Sequence, residues 1–268
     1  DNNLSFLDFV CPNGPISTSV GAMDSYGADL MLTHGAKKGG SQGGEGSWNN
    51  TYNYEEISFF NSESWEHSNE LIELEIYDAV SGCAAPNNRF FVGTWNNGLL
   101  EFLGNNLVAH YSAENTPELE ALGVSGLNRI GGVDLDGENN IWLTNSQTNK
   151  VLAKLSLSNN SWSSFSVPDL ENDSQMSGRL LCASNGYKWI QLRSSGVMVV
   201  KQDGGAMISR MLVDGAGLPD VTGYVNCFDE DENGAVWIGS SQGLSVVYFP
   251  EDIFNNNSMA DPVLIETE

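Results

Sequence analysis

Gly239-Ser240-Ser241-Gln242-Gly243 fits the G-x-S-x-G elbow that presents a serine nucleophile. An elbow needs a strand-to-helix turn and, in the hydrolase order, a histidine later in the chain. The histidines are His34, His67 and His110, all before Ser241, so that order is impossible. Related turns read Gly93-Thr-Trp-Asn-Asn-Gly98 and Gln191-Leu-Arg-Ser-Ser-Gly196 without a shared nucleophile, so the motif reads as a structural turn. Asp229-Glu-Asp231-Glu-Asn233-Gly234 starts like a calcium loop, with oxygen ligands at positions one, three and five and glycine at six. Position twelve is Ser240 instead of a bidentate glutamate, and Asp134-Leu-Asp136-Gly-Glu138 is also incomplete. Both read as acidic hairpin turns. No Cys pair has metal-ligand spacing, and the nearest two histidines are about 33 residues apart.

A pair of carboxylates for glycoside cleavage is another possibility for a protein with 35 acidic residues, but that abundance nominates no pair in particular. No catalytic, cofactor-binding or metal site is therefore expected, and the ligand-binding residues are left unassigned. Cys11, Cys83, Cys182 and Cys227 allow three full pairings, between which sequence does not choose. Packing thiols are the simpler reading of the four.

Those turns belong to a repeat. An aromatic or apolar anchor occurs at Leu30, Phe91, Trp142, Trp189 and Trp237, the last four spaced by roughly 48 residues. Each follows a turn rich in Gly, Asn or Asp: Asp24 to Gly27, Pro86 to Asn88, Asp136 to Asn140, Ser184 to Gly186 and Asp231 to Gly234. Short strand-favouring runs flank the turns, such as Arg89-Phe-Phe-Val92 with Leu99-Leu-Glu-Phe102. No long window carries apolar residues at helical spacing, and Glu70 to Val80 alternates like a strand. An all-β chain with this period implies a β-propeller of four-stranded blades, about five of them, spanning 1-268 as one domain. The tryptophans then belong to the core. Because the chain opens at Asp1 and ends after an outer-strand-like Val263 to Ile265, a piece of a longer array is expected.

The first copy is interrupted by a Gly-rich insertion, 35-52, carrying Trp48 and Tyr52. Insertions in a repeat map to loops on one face, often the binding face. These aromatics are either a ligand or partner contact or an ornament packed back onto the blade, the second being the ordinary outcome. A net charge of −24 opposes nucleic acid and anionic membrane surfaces, and no apolar run is long enough to span a bilayer.

With the repeat laid out, Gly217-Leu-Pro219…Val225 to Asp229…Gly234-Ala-Val-Trp237-Ile-Gly239-Ser-Ser-Gln-Gly243-Leu244 resembles the two-component regulator propeller repeat. Thr144 and Gln191 replace its glycine in two copies. Two families use this repeat, the periplasmic sensor regions of hybrid histidine kinases and the PorZ family of the type IX secretion system. The tail Val247 to Phe254 with Asp261 to Ile265, and the insertion with Trp48-Asn-Asn-Thr-Tyr52, look like the PorZ family. That resemblance implies a non-enzymatic protein at the cell surface or in the periplasm of a Gram-negative bacterium. It further implies an attachment complex with the sortase PorU, PorV and PorQ that joins cargo to lipopolysaccharide. The kinase resemblance implies a ligand-sensing propeller instead.

Overall fold

Every anchor of the repeat lies on the second strand of a four-stranded antiparallel sheet. In the computed structural model, residues 13–38, 48–123, 126–170, 176–193, 195–212, 225–241, 243–256 and 260–263 are described. Blade 1 contains Ala22–Tyr26, Asp29–Thr33, Ser58–Phe60 and Trp65–His67. Blade 2 contains Ala79–Ala85, Arg89–Thr94, Leu99–Leu103 and Asn106–Tyr111. Blade 3 contains Ile130–Leu135, Asn140–Asn145, Leu152–Ser156 and Ser161–Phe165. Blade 4 contains Ser177–Cys182, Lys188–Leu192, Gly196–Asp203 and Ala206–Met211. Blade 5 contains Val225–Glu230, Val236–Ser240, Gly243–Val247 and Asp261–Pro262. Within each blade the strands pair in chain order, and the five sheets form a five-bladed β-propeller.

The hairpins form where the sequence supplies residues that tolerate positive φ, as at Asn87 and Asn88, Asn139, Gly186 and Gly234. A single blade cannot cover its two faces, so the core lies between blades. Met31, Phe59, Phe90 and Phe102 fill the space between blades 1 and 2, and Phe91, Ile130 and Leu143 that between 2 and 3. Leu152, Ile190 and Val200 lie between 3 and 4, and Trp189, Val236 and Val247 between 4 and 5. Each fully buried Leu or Phe contributes roughly 2 kcal/mol.

The first strand of each blade is innermost, and in blades 2 to 5 it carries a register shift against the second strand. Opposite the shift stand Gly93, Thr144, Gln191 and Gly239. Glycine suits blades 2 and 5, because an added Cβ would lie 2.4 Å from Ser81 Oγ at Gly93 and 2.8 Å from Cys227 Sγ at Gly239. Thr144 and Gln191 instead bridge blades. Thr144 Oγ1 accepts from Gly132 N at 2.8 Å and donates to Gly178 O of blade 4 at 2.9 Å. Gln191 Oε1 accepts from Arg179 N at 3.1 Å while its Nε2 donates to Val225 O of blade 5 at 2.5 Å. The departures from the repeat are thus cross-blade hydrogen bonds.

Two local readings change. Met31, rather than Leu30, pairs with Asp24 as Trp142 pairs with Asp134 and Trp237 with Asp229. The alternating stretch after Glu70 forms a coiled turn, and a strand starts only at Ala79. The buried Glu56 carboxylate accepts from Leu71 N at 3.1 Å and from Ser68 Oγ at 2.5 Å, which favours a turn start over extended pairing. Leu71 and Ile76 then point into the core while Ile72 and Leu74 are exposed.

The acidic turns serve their own tryptophans. Asp136 Oδ2 accepts from Trp142 Nε1 at 2.7 Å, and Asp231 Oδ2 from Trp237 Nε1 at 2.8 Å, while each Oδ1 holds turn amides. These bonds hold both carboxyls below the ordinary aspartate range. In blade 4 the equivalent residue is Ala183, and the buried Trp189 Nε1 has no acceptor among the described residues. Asp136→Ala should therefore cost about 1–2 kcal/mol by leaving the indole N–H of a 6%-exposed tryptophan unpaired, and Asp136→Asn should cost less. Urea denaturation checks this, and an Asp136→Ala midpoint equal to wild type would remove the role given to the turn.

Candidate functional site

The insertion in blade 1 returns over the ring axis. Its ends pair as a two-stranded ribbon, Lys37–Lys38 with Asn49–Asn50, and 39–47 lie outside the described residues. Trp48 packs edge-on against the fully buried Trp95 of blade 2, with centroids 5.9 Å apart. Its carbonyl accepts from Trp95 Nε1 at 3.1 Å, and its N–H lies 3.1 Å from Met176 Sδ beside blade 4. Gly178 lets the ring come this close, since a Cβ there would sit 2.6 Å from the Trp48 ring. Trp48 thus joins blades 1, 2 and 4 across the mouth.

Lys37 sits under this cover. Its Nζ lies 4.4 Å from the Trp48 ring centroid and 5.0 Å from that of Trp95, and it donates to Gly131 O of blade 3 at 3.2 Å. Burial, then the nearby Arg179, push this amine down to about 7. Beside it lies a cavity of about 310 Å³ lined by Lys37, Trp48, Arg179 and Gln191. Tyr52 lies on the rim, 62% exposed with φ 56°, and packs at a tilt against Tyr77, which also meets Tyr54. The buried Asp78 carboxylate fixes that turn by accepting from the amides of Thr51, Tyr52 and Asn53 at 2.9, 3.1 and 3.1 Å.

Along the axis the inner strands of all five blades line a narrower cavity of about 150 Å³. Asp24, Asp134 and Asp229, from blades 1, 3 and 5, contribute to it. They are the acids a propeller gathers at its centre, and two of them hold the next blade. Asp24 Oδ2 accepts from Ala84 N at 2.7 Å and Asp134 Oδ2 from Cys182 N at 2.6 Å. Burial pushes Asp24 up despite these bonds, and it pushes Asp134 up to about 6.

The other groups singled out in the sequence have structural partners. His34 Nε2 and His67 Nδ1 share the buried Ser58 Oγ at 2.8 and 3.2 Å, and His110 Nε2 meets Asn97 O. Ser240 lies in the turn of blade 5, its Oγ donating to Gly243 O at 3.3 Å. Cys83, Cys182 and Cys227 are free thiols among the described residues, and Cys11 lies outside them. Burial, with Asp134 beside both, pushes Cys83 and Cys182 well above the usual thiol range, so neither is a ready nucleophile. Trp142 and Trp189 are buried and Trp237 half-buried, whereas Tyr52 and Tyr54 are exposed.

Sequence reasoning picked out Trp48 and Tyr52, read Asp24, Asp134 and Asp229 only as parts of turns, and missed Lys37 and Asp78. The aspartates had a signal: Asp24, Asp134 and Asp229 occupy the same place in the repeat. Lys37 had none, because besides Trp48 its partners come from blades 2 and 3.

No protein-family model matches the sequence, and no curated protein matches it. Solved structures with this fold include PorZ of Porphyromonas gingivalis, an essential bacterial surface component of the type IX secretion system. It superposes with TM-score 0.77 at 24% identity, over 96% of this chain and 36% of PorZ. An extracellular domain from B. thetaiotaomicron, described as a one component system, gives TM-score 0.61 at 14% identity over 88% of this chain and 28% of its own. Virginiamycin B lyase from Staphylococcus aureus gives TM-score 0.57 at 10% identity over 90% and 67%. The chain spans about a third of the length of PorZ. Propellers of secretion, signalling and catalysis all share the fold, so the likeness does not decide among them.

The raised pKa of Asp134 gives a pH dependence. Its folded value of about 6 exceeds the ordinary 3.8, so the folded protein holds a proton that the unfolded chain releases between these values. Its stabilising contribution is full below 3.8 and is lost as pH rises towards 6. Asp136 and Asp231 act oppositely, and only below the ordinary aspartate range. Asp134→Asn should flatten the stability profile between those two pH values relative to wild type, as read from urea midpoints. Parallel profiles would show that the surroundings of Asp134 do not raise its pKa.

Proposed function

We propose that this propeller is a non-catalytic adaptor of a cell-surface protein-secretion assembly, acting outside the cytoplasm of a Gram-negative bacterium as a PorZ-like component. The observation that carries the reading is the fit of 96% of the chain onto PorZ with TM-score 0.77. The chemistry of the described residues agrees with it. The axial aspartates Asp24 and Asp134 bond backbone amides, the histidines bond serine and backbone oxygens, and Ser240 closes a turn. Among the described residues no helix is long and apolar enough to cross a membrane.

In this reading the partners are the counterparts of the sortase PorU, PorV and PorQ. The face bearing Trp48, Tyr52 and Tyr54 is the contact surface, since exposed aromatics on a rigid turn are common interface anchors. Lipopolysaccharide is the end acceptor of the cargo. The charge of −24 disfavours direct clamping of a polyanionic chain by this region. A ligand-sensing propeller is the second reading, favoured by the likeness to the B. thetaiotaomicron extracellular domain.

Affinity capture with the purified chain as bait and the three counterparts from the same bacterium as prey separates the two. The adaptor reading expects at least one to be retained, and Tyr52→Ala with Tyr54→Ala to weaken retention about tenfold. Retention of none, together with a thermal shift induced by a small saccharide or metabolite, would favour the sensor.

A further inference from the structure

Three of the chain's six lysines, Lys154, Lys188 and Lys201, line one cleft of about 360 Å³ between blades 3 and 4. We propose that this cleft binds a compact dianion, a phosphomonoester or a small dicarboxylate, at a site separate from the face that carries Trp48.

In a chain with 35 acidic and 11 basic residues, a lysine would ordinarily find a carboxylate. Among the described residues none of these three ammonium groups has a carboxylate oxygen within 4.0 Å. Aromatic rings hold them instead. Lys188 Nζ lies 4.7 Å and Lys154 Nζ 5.4 Å from the Trp142 centroid, and Lys201 Nζ lies 4.7 Å from that of Phe254. A ring face orients an ammonium group but does not neutralise it.

Lys188 is the most telling of the three. It is 6% exposed, and its Nζ donates to Gly186 O at 2.9 Å, which takes one of its three donors. Asp136, the lining acid next to Trp142, already accepts from Trp142 Nε1 and Asn140 Nδ2. Lys154 and Lys188 therefore bring charge and donors to the Trp142 wall of the cleft, while the ammonium group of Lys201 lies over Tyr187 and Phe254 on the blade 5 side. Because the blades fix Trp142 by stacking on Phe165, with centroids 5.4 Å apart, the site is formed before any ligand arrives.

Size and surroundings narrow the ligand. The cleft admits a small molecule, and the acidic surface beyond it repels an extended polyanion over a Debye length of about 8 Å. Exposed Glu138 and Gln202 at the edge offer partners to hydroxyl groups, so a phosphorylated polyol is better matched than inorganic phosphate alone.

Calorimetric titration of the whole chain with inorganic phosphate, malonate and glycerol phosphate tests this, with potassium chloride at matched ionic strength as the control. Saturable one-to-one binding of the dianions and none of chloride is expected, with glycerol phosphate tighter than phosphate. Lys154→Gln with Lys188→Gln should weaken it about tenfold or more, since each charge-assisted bond is worth more than a neutral one. Should the double variant misfold by circular dichroism, each single variant is titrated, with about threefold weakening expected. Absence of saturable binding by any dianion, or affinity unchanged by folded lysine variants, would overturn the proposal.

Discussion

The innermost strand of every blade has one edge with no strand beside it, and the ring depends on how that edge is satisfied. Each buried backbone group left without a partner would cost about 1–3 kcal/mol. Side chains from the preceding blade supply the missing partners. Asp24 takes the amide of Ala84, Asp134 takes that of Cys182, Thr144 donates to Gly178 O, and Gln191 donates to Val225 O. Between these polar stitches lie the apolar layers, so geometry is set by the hydrogen bonds and most of the stabilisation comes from burial.

The same constraint shapes the two ends of the axis. Polar groups must line a channel whose walls are strand edges, so half-buried acids and an amine with displaced pKa values collect there. One mouth is then covered by the insertion, with Trp48 against Trp95 and Lys37 between them. A covered mouth leaves recognition to the rim and the sides. Exposed tyrosines held by Asp78 occupy the rim, and lysines held by aromatic rings occupy the side between blades 3 and 4.

The period of the tryptophans and the Asn- and Gly-rich turns made blade number and strand order legible, since both arise from local chemistry that one blade displays by itself. Misreadings came where a distant residue decided the outcome. Glu70 to Val80 alternates like a strand, yet the Glu56 carboxylate draws Leu71 into a turn. Thr144 and Gln191 looked like decay of a glycine position, although they are the cross-blade bonds. The acidic turn at Asp231 imitated a calcium loop because a turn that holds amides and an indole needs the same oxygens. Of the candidate surface, Trp48 and Tyr52 were visible as aromatics in a Gly-rich stretch. Lys37 and the lysine cleft were not, since each is assembled from more than one blade.

The amide of Cys182 reports on the central stitch most directly, because its hydrogen bond to Asp134 crosses from blade 3 to blade 4. Followed by NMR through a pH titration, that amide and the Leu135 amide, which bonds Asp134 Oδ1, should shift together with a midpoint of about 6. Both amides should also be protected from hydrogen exchange at neutral pH. A Cys182 amide that exchanges like an open edge, or that titrates near the ordinary 3.8, would contradict the account.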